Sequence, residues 1–186
     1  MFKNSLILGL VTSTLLLTGC AVPVQTYQPD LENTQTLKKI NIKFDVKEFT
    51  STNKEYGIYC RAANNVETPK KEMFEEYIQN SLVKELKIAN MYDKESDVVI
   101  HGHLNRTDAS SSIGSSAYWL FDMTISNSNG DSFSVVHKRN YNASFVGGLA
   151  CGDNMPKAFA PTVQELITKI ITHPEFPLLF GNGKNK

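Results

Sequence analysis

The sequence predicts an α+β fold. The expected form is a two-layer sandwich: a four-stranded, mostly antiparallel sheet with two helices on one face, in the order β-α-β-β-β-α. Three observations predict it. Four stretches alternate apolar and polar residues with period two. Two others repeat apolar residues at helical spacing, so each helix has one face to bury. The last three strands follow one another through short connections, and a helix stands on either side of them.

The first strand is read over residues 38–47, KKINIKFDVK. Ile40, Ile42, Phe44 and Val46 alternate with Lys39, Asn41, Lys43, Asp45 and Lys47, giving one buried and one wet face. Lysines on the wet face protect an edge strand. Residues 50–67 read as a polar loop around a short segment, Gly57-Ile58-Tyr59-Cys60-Arg61, able to pair as a strand. Thr68-Pro69 opens the first helix, because Thr suits an N-cap and Pro the first turn. Glu72, Glu75 and Glu76 complement the helix dipole there. Phe74, Ile78, Leu82, Leu86 and Ala89 share its apolar face, and Asn90 stops it.

The second strand, residues 97–105, turns Val98, Ile100 and Leu104 one way and Val99, His101, His103 and Asn105 the other. In the third, residues 117–126, Trp119, Phe121, Met123 and Ile125 face inward. Tyr118, Leu120, Asp122 and Thr124 face outward. Asn129-Gly130 predicts a two-residue type I′ hairpin. The fourth strand, residues 132–144, turns Phe133, Val135 and Tyr141 inward. After a glycine-rich loop at 146–156, a helix runs from Lys157 to about Thr172, burying Phe159, Val163, Leu166, Ile167, Ile170 and Ile171. His173-Pro174 ends it, and residues 174–186 read as a flexible tail.

The front of the chain has a different character. Lys3 precedes an apolar run, Leu6 to Leu17, shorter than the roughly 20 residues of a bilayer span. It ends at Leu17-Thr18-Gly19-Cys20, which closely resembles the processing box of bacterial lipoproteins. The resemblance implies a signal peptide over residues 1–19. Cys20 then becomes the N-terminus, carrying diacylglycerol on sulfur and an acyl chain such as palmitate on nitrogen. Residue 21 is Ala rather than Asp. In the enterobacterial sorting pattern this implies the outer membrane, with the domain facing the periplasm. Residues 20–36 have no period and mix Pro, Gln, Thr and Asn. They read as the lipidated N-terminus and a tether, which leaves residues 37–173 as the periplasmic domain.

Of the 3 cysteines, the lipid takes Cys20, and Cys60 and Cys151 remain as an even pair in an oxidising compartment. A disulfide between them is expected, since no C-x-x-C suggests redox chemistry. Lys plus Arg and Asp plus Glu both total 19, and no basic stripe appears, so nucleic acid is not an expected partner.

No complete catalytic set is expected. His101 and His103 point the same way, but zinc needs three or four ligands, and His137 and Asp122 would help only if strand order allowed. The serines from 110 to 116 lack a G-x-S-x-G frame. Gly147, Gly148 and Gly152 match no phosphate-binding loop. The expectation is a protein that is not an enzyme, with no metal and no cofactor. Tyr118 and Leu120 are the residues expected to form a docking face on the open side of the sheet.

Two blocks, CRAANNVETPKKEMFEEYIQNSLVKEL and LACGDNMPKAFAPTVQELI, resemble small proteobacterial lipoproteins with paired cysteines. Phe74, Tyr77, Ile78, Leu82, Glu85 and Leu86 carry the resemblance. More loosely, the element order is similar to that of auxiliary lipoproteins of ABC-type envelope transporters and of the lipopolysaccharide-assembly lipoprotein. The resemblance implies an accessory or docking component in envelope assembly or transport, with a membrane anchor and an envelope protein partner. The alternative is a periplasmic binding module for a small ligand, a lipid or a cell-wall fragment.

Overall fold

The structure, a computed structural model, describes residues 21–181. In chain order its elements are β1 (Val22–Pro23), α1 (Leu31–Ile40), β2 (Asp45–Val46), β3 (Thr50–Ser51), β4 (Gly57–Cys60), β5 (Asn64–Glu67), α2 (Phe74–Ala89), β6 (Val99–Ser110), β7 (Gly114–Asn127), β8 (Ser132–Ala143), α3 (Gly147–Leu149) and α4 (Met155–Ile171). A π-helical turn, Ala150–Asn154, joins α3 to α4.

The α+β class holds, and so does the antiparallel run of the three long strands, β6-β7-β8. The single four-stranded sheet does not. The main sheet has five strands, because its edge is split into β2 and β3, both parallel to β6. A second sheet of three short strands has the order β1-β5-β4.

Period-two alternation decides which side of the main sheet is dry. Ala117, Trp119, Phe121, Met123 and Ile125 of β7 are fully buried, as are Ile78, Leu86, Phe159, Val163 and Leu166 of the helices. Phe74, Trp119, Phe121 and Phe159 meet with ring centroids 5.0 to 6.4 Å apart. The Trp119 indole N–H donates to Met155 O at 2.9 Å, so the largest core residue leaves no polar atom unpaired. Gly102 of β6 has a packing reason: a Cβ there would lie 2.7 Å from the Phe49 ring, which fills the gap between β2 and β3.

Several expectations are corrected. The run 38–47 is not one strand: α1 occupies its start and pairing begins only near Asp45. Asp30 explains this. Its Oδ1 accepts from the backbone N–H of Glu32 (2.7 Å) and Asn33 (3.1 Å), an N-cap that starts a helix through Leu37, which is fully buried. Asn41, at φ 55°, ends the helix in the left-handed conformation. The described part of the expected tether, residues 21–36, is packed onto the domain, with Val24, Tyr27, Asn33 and Thr34 buried. The expected tail folds back over residues 176–180, where Phe176 and Leu179 are buried and Phe176 packs against Phe44 and Phe133. Residues 182–186 lie outside the described residues.

Two boundaries also move. Thr68-Pro69 leads into a 3-10 turn, and α2 starts at Phe74, where Glu76 accepts from the Met73 backbone N–H at 3.0 Å. The Asn129-Gly130 turn has positive φ only at Gly130, so it is not type I′, which requires it at both residues. The Asn127 side-chain oxygen accepts from the N–H groups of Asn129 (2.9 Å) and Asp131 (3.0 Å), and this shapes a wider loop.

Candidate functional site

The side of β6-β7-β8 facing away from α2 and α4 carries the residues expected to dock a partner. α1 packs on α2 and α4, not on this face. Tyr118 and Leu120 are neighbours on it, and strand register sets Asp108 and Lys138 on either side of Leu120. The Tyr118 hydroxyl donates to Asp108 Oδ2 at 3.0 Å, and the Lys138 ammonium lies 3.9 Å from the centre of its ring. Both contacts hold the ring flat along the sheet. The Asp108 carboxylate, and then burial, raise the Tyr118 phenol above its ordinary range, so it stays a donor. Val136, beside Asp122 in the register, extends the strip as an exposed apolar side chain. Asn105 continues the alternation of His101 and His103 on this face, where its amide donates to Asp122 Oδ1 (2.9 Å) and Thr124 Oγ1 (3.1 Å); the bulge beside it shifts the register so that Arg106 and Asp108 face the same way.

The two histidines of β6 share this face but not a site. His103 contacts the hydroxyls of Thr50 (2.8 Å) and Thr52 (3.1 Å); His101 contacts Ser128 at 3.4 Å. Asp122 is engaged by Asn105. His137 is buried on the opposite side of the sheet, where it faces α4. Among the described residues, no three His, Cys, Asp or Glu side chains stand where they could hold a metal.

His137 belongs to a cleft that sequence reasoning missed. It is about 590 Å³ in volume and lies between β8, α4 and the start of α1, with Asp30, His137, Arg139, Glu165 and Lys169 on its walls. Glu165 accepts from His137 Nε2 at 2.9 Å and pairs with Arg139. Burial, with the charges of Lys169 and Arg139 behind it, pushes the imidazole down to about 4. The ring is therefore neutral at pH 7, with its proton on Nε2. Its Nδ1 is buried and has no hydrogen-bond partner among the described residues. The one hydroxyl lining the cleft, Thr168, already donates to Asn33 Oδ1 (2.7 Å) or Gln164 O (3.0 Å). The signal for His137 was present: it continues the alternation of Phe133 and Val135.

Glu85 of α2 is fully buried, in a role that its place in the sequence motif did not reveal. Its carboxylate accepts from the Tyr27 hydroxyl (2.6 Å), the Asp30 backbone N–H (2.7 Å) and the Thr34 hydroxyl (3.1 Å). About two turns earlier on α2, the Tyr77 hydroxyl donates to Gln25 O at 2.8 Å. Both residues stand in the helix motif that carries the family resemblance, and both clasp the segment before α1.

Cys60 of β4 and Cys151 are joined by a disulfide with Cα atoms 5.5 Å apart, as expected. Cys20 lies outside the described residues. No helix among the described residues is long and apolar enough to cross a membrane.

Comparison with family models and with curated proteins finds no match to this sequence. The fold is similar to solved structures. One is a crystal structure of a Xanthomonas campestris protein assigned to the family DUF330: 11% identical, covering 82% of this chain and 95% of that one, with a TM-score of 0.51. Another is an uncharacterized protein, 9% identical, covering 81% of this chain and 97% of that one, with a TM-score of 0.47. At such identity the first likeness is one of fold alone.

Proposed function

We propose that this protein is a non-catalytic lipoprotein anchored through Cys20 in the outer membrane, facing the periplasm, and that it docks an envelope protein partner in assembly or transport. The observation that carries the docking role is the uncovered sheet face, with its preset strip of Tyr118, Leu120 and Val136 between Asp108, Asp122 and Lys138. An apolar strip with a charged border is what a protein interface needs: anchors at the centre and polar groups at the rim. The anchor rests on the Leu17-Thr18-Gly19-Cys20 motif, and the Cys60–Cys151 bridge fits an oxidising compartment.

The test is affinity purification from detergent-solubilised envelopes, with wild type and Leu120→Asp side by side. A membrane protein recovered with wild type and lost at least about tenfold with the variant is expected, as for removal of one interface anchor. Unchanged thermal unfolding of Leu120→Asp checks that the fold survives. Equal recovery with both would reject the face. The alternative, a binding module for a small ligand, a lipid or a cell-wall fragment, draws on the His137 cleft. A lipid or glycan that copurifies, and is lost on Arg139→Ala rather than Leu120→Asp, would favour it.

A further inference from the structure

One end of the domain exposes large apolar side chains that no function so far uses. Phe145 is 79% and Tyr59 73% exposed, and Ile113, Val146 and Leu149 are exposed as well. They come from β4 and from two connecting segments, which Arg61 fastens together. Its guanidinium donates to Ser111 O (2.8 Å), Ser144 O (2.7 Å) and Phe145 O (3.1 Å). Residues 109–117 and 140–152, which supply two of these segments, contain no Asp, Glu, Lys, Arg or His. This is an apolar surface whose central charge, Arg61, is spent on backbone carbonyls.

The chain enters the domain at this same end. β1 runs parallel to β5 with Val22 opposite Val66, so Ala21 lies beside Asn65, which in turn is opposite Tyr59. With strands about 5 Å apart, Ala21 is about 10 Å from the Tyr59 backbone. No slack follows Ala21. The Val24 N–H donates to Glu67 O (2.7 Å), Tyr77 holds Gln25, the Gln164 amide holds Gln28 O (2.7 Å), and Glu85 holds Tyr27, Asp30 and Thr34. Cys20 is one residue before Ala21, a reach of about 3.8 Å.

We infer that this end rests in the phospholipid surface, with Phe145, Leu149 and Ile113 immersed at the level of the headgroups and upper acyl chains. The inference rests on the proposed lipidation of Cys20. A lipid there, with no tether behind it, leaves the apolar end nowhere to stand but at the bilayer. Aromatic and aliphatic side chains without charges are the chemistry that an interface takes up. The docking strip on β7 and β8 then stands out from the membrane, clear of the lipid.

The experiment uses the mature lipidated protein in vesicles of phosphatidylethanolamine and phosphatidylglycerol, with and without brominated acyl chains. Phe145→Trp places an indole in the surface; Ile88→Trp places one on exposed α2, close to the start of β6 and far from the Ser111 loop. The native Trp119 is buried and gives a constant background. Expected is a blue-shifted Phe145→Trp emission that brominated lipid quenches several-fold more than that of Ile88→Trp. Equal, weak quenching of both in vesicle-bound protein overturns the inference while leaving the anchor intact. A blue shift without quenching overturns it in favour of contact between two copies of this chain. Mass analysis of the N-terminal peptide reads the anchor separately, and an unmodified Cys20 overturns both.

Discussion

His137 shows how one side chain can tie stability to pH. It is 5% exposed between β8 and α4, and burial, Lys169 and Arg139 all disfavour its charged form. Glu165 opposes them but is shared with Arg139. The folded ring titrates near 4 and the unfolded one near 6.5. Between these values the unfolded chain binds more protons, so the contribution is complete above about pH 6.5 and is lost as pH falls toward 4. Urea unfolding across that window should show a steeper loss of stability for wild type than for His137→Gln, whose amide still donates to Glu165. Parallel curves would remove His137 from the acid response. The inward position was legible from the period-two pattern of β8; its pairing with Glu165 was not, because residues 28 positions apart meet only through the packing of α4 on the sheet.

At the scale of elements, the legible parts are those whose own period decides their place. α2, α4 and the three long strands bury the residues that their patterns single out, from Ile78 and Leu82 to Trp119 and Phe121. The segment before β2 is different. Its short polar-rich run has no strong period, and what holds it is a set of partners far along the chain: Tyr27 to Glu85 spans 58 residues and Gln28 to Gln164 spans 136. The same holds for Phe176, which is buried only because the fold brings Phe44 and Phe133 to it. A local signal for α1 did exist in Asp30, a good cap followed by an acidic first turn. Glu85→Ala tests the clasp. It leaves the buried Tyr27 hydroxyl and the Asp30 N–H without their acceptor, while the Thr34 hydroxyl can still donate to Asp30 O (3.0 Å), at a cost on the order of 2–4 kcal/mol. Hydrogen exchange should speed up first in residues 27–37, ahead of α2 and β7. Uniform exchange across the chain, or stability within 1 kcal/mol of wild type, would show that the clasp does not hold the segment.

On the scale of the whole molecule, the main sheet and its two covering helices form a core that is expected to survive the loss of the Cys60–Cys151 bridge. The contacts among Trp119, Phe121, Phe159 and Phe74 involve neither cysteine. What the bridge adds is a closed loop with a sequence separation of 91, spanning α2 and the whole β6-β7-β8 run. Its removal widens the unfolded ensemble, and native disulfides of this kind contribute about 2–5 kcal/mol. That is less than the total stability of roughly 5–15 kcal/mol expected of a domain this size, so the protein should still fold. The loss should be uneven. The small β1-β5-β4 sheet has few residues and reaches the core through Val66, the bridge and Arg61. Without the bridge, β4 and β5 should open before the main sheet does. Cys60→Ala with Cys151→Ala is therefore expected to lower Tm by about 6–12 °C for a loss of about 3 kcal/mol. Exchange protection should fall in residues 57–67 and persist in 119–125. A double variant that melts at the wild-type temperature would mean that the bridge only records the oxidising compartment. A variant that fails to fold would mean that the aromatic core is not self-sufficient, and that the apolar end and the chain entry beside it depend on the bridge for their place.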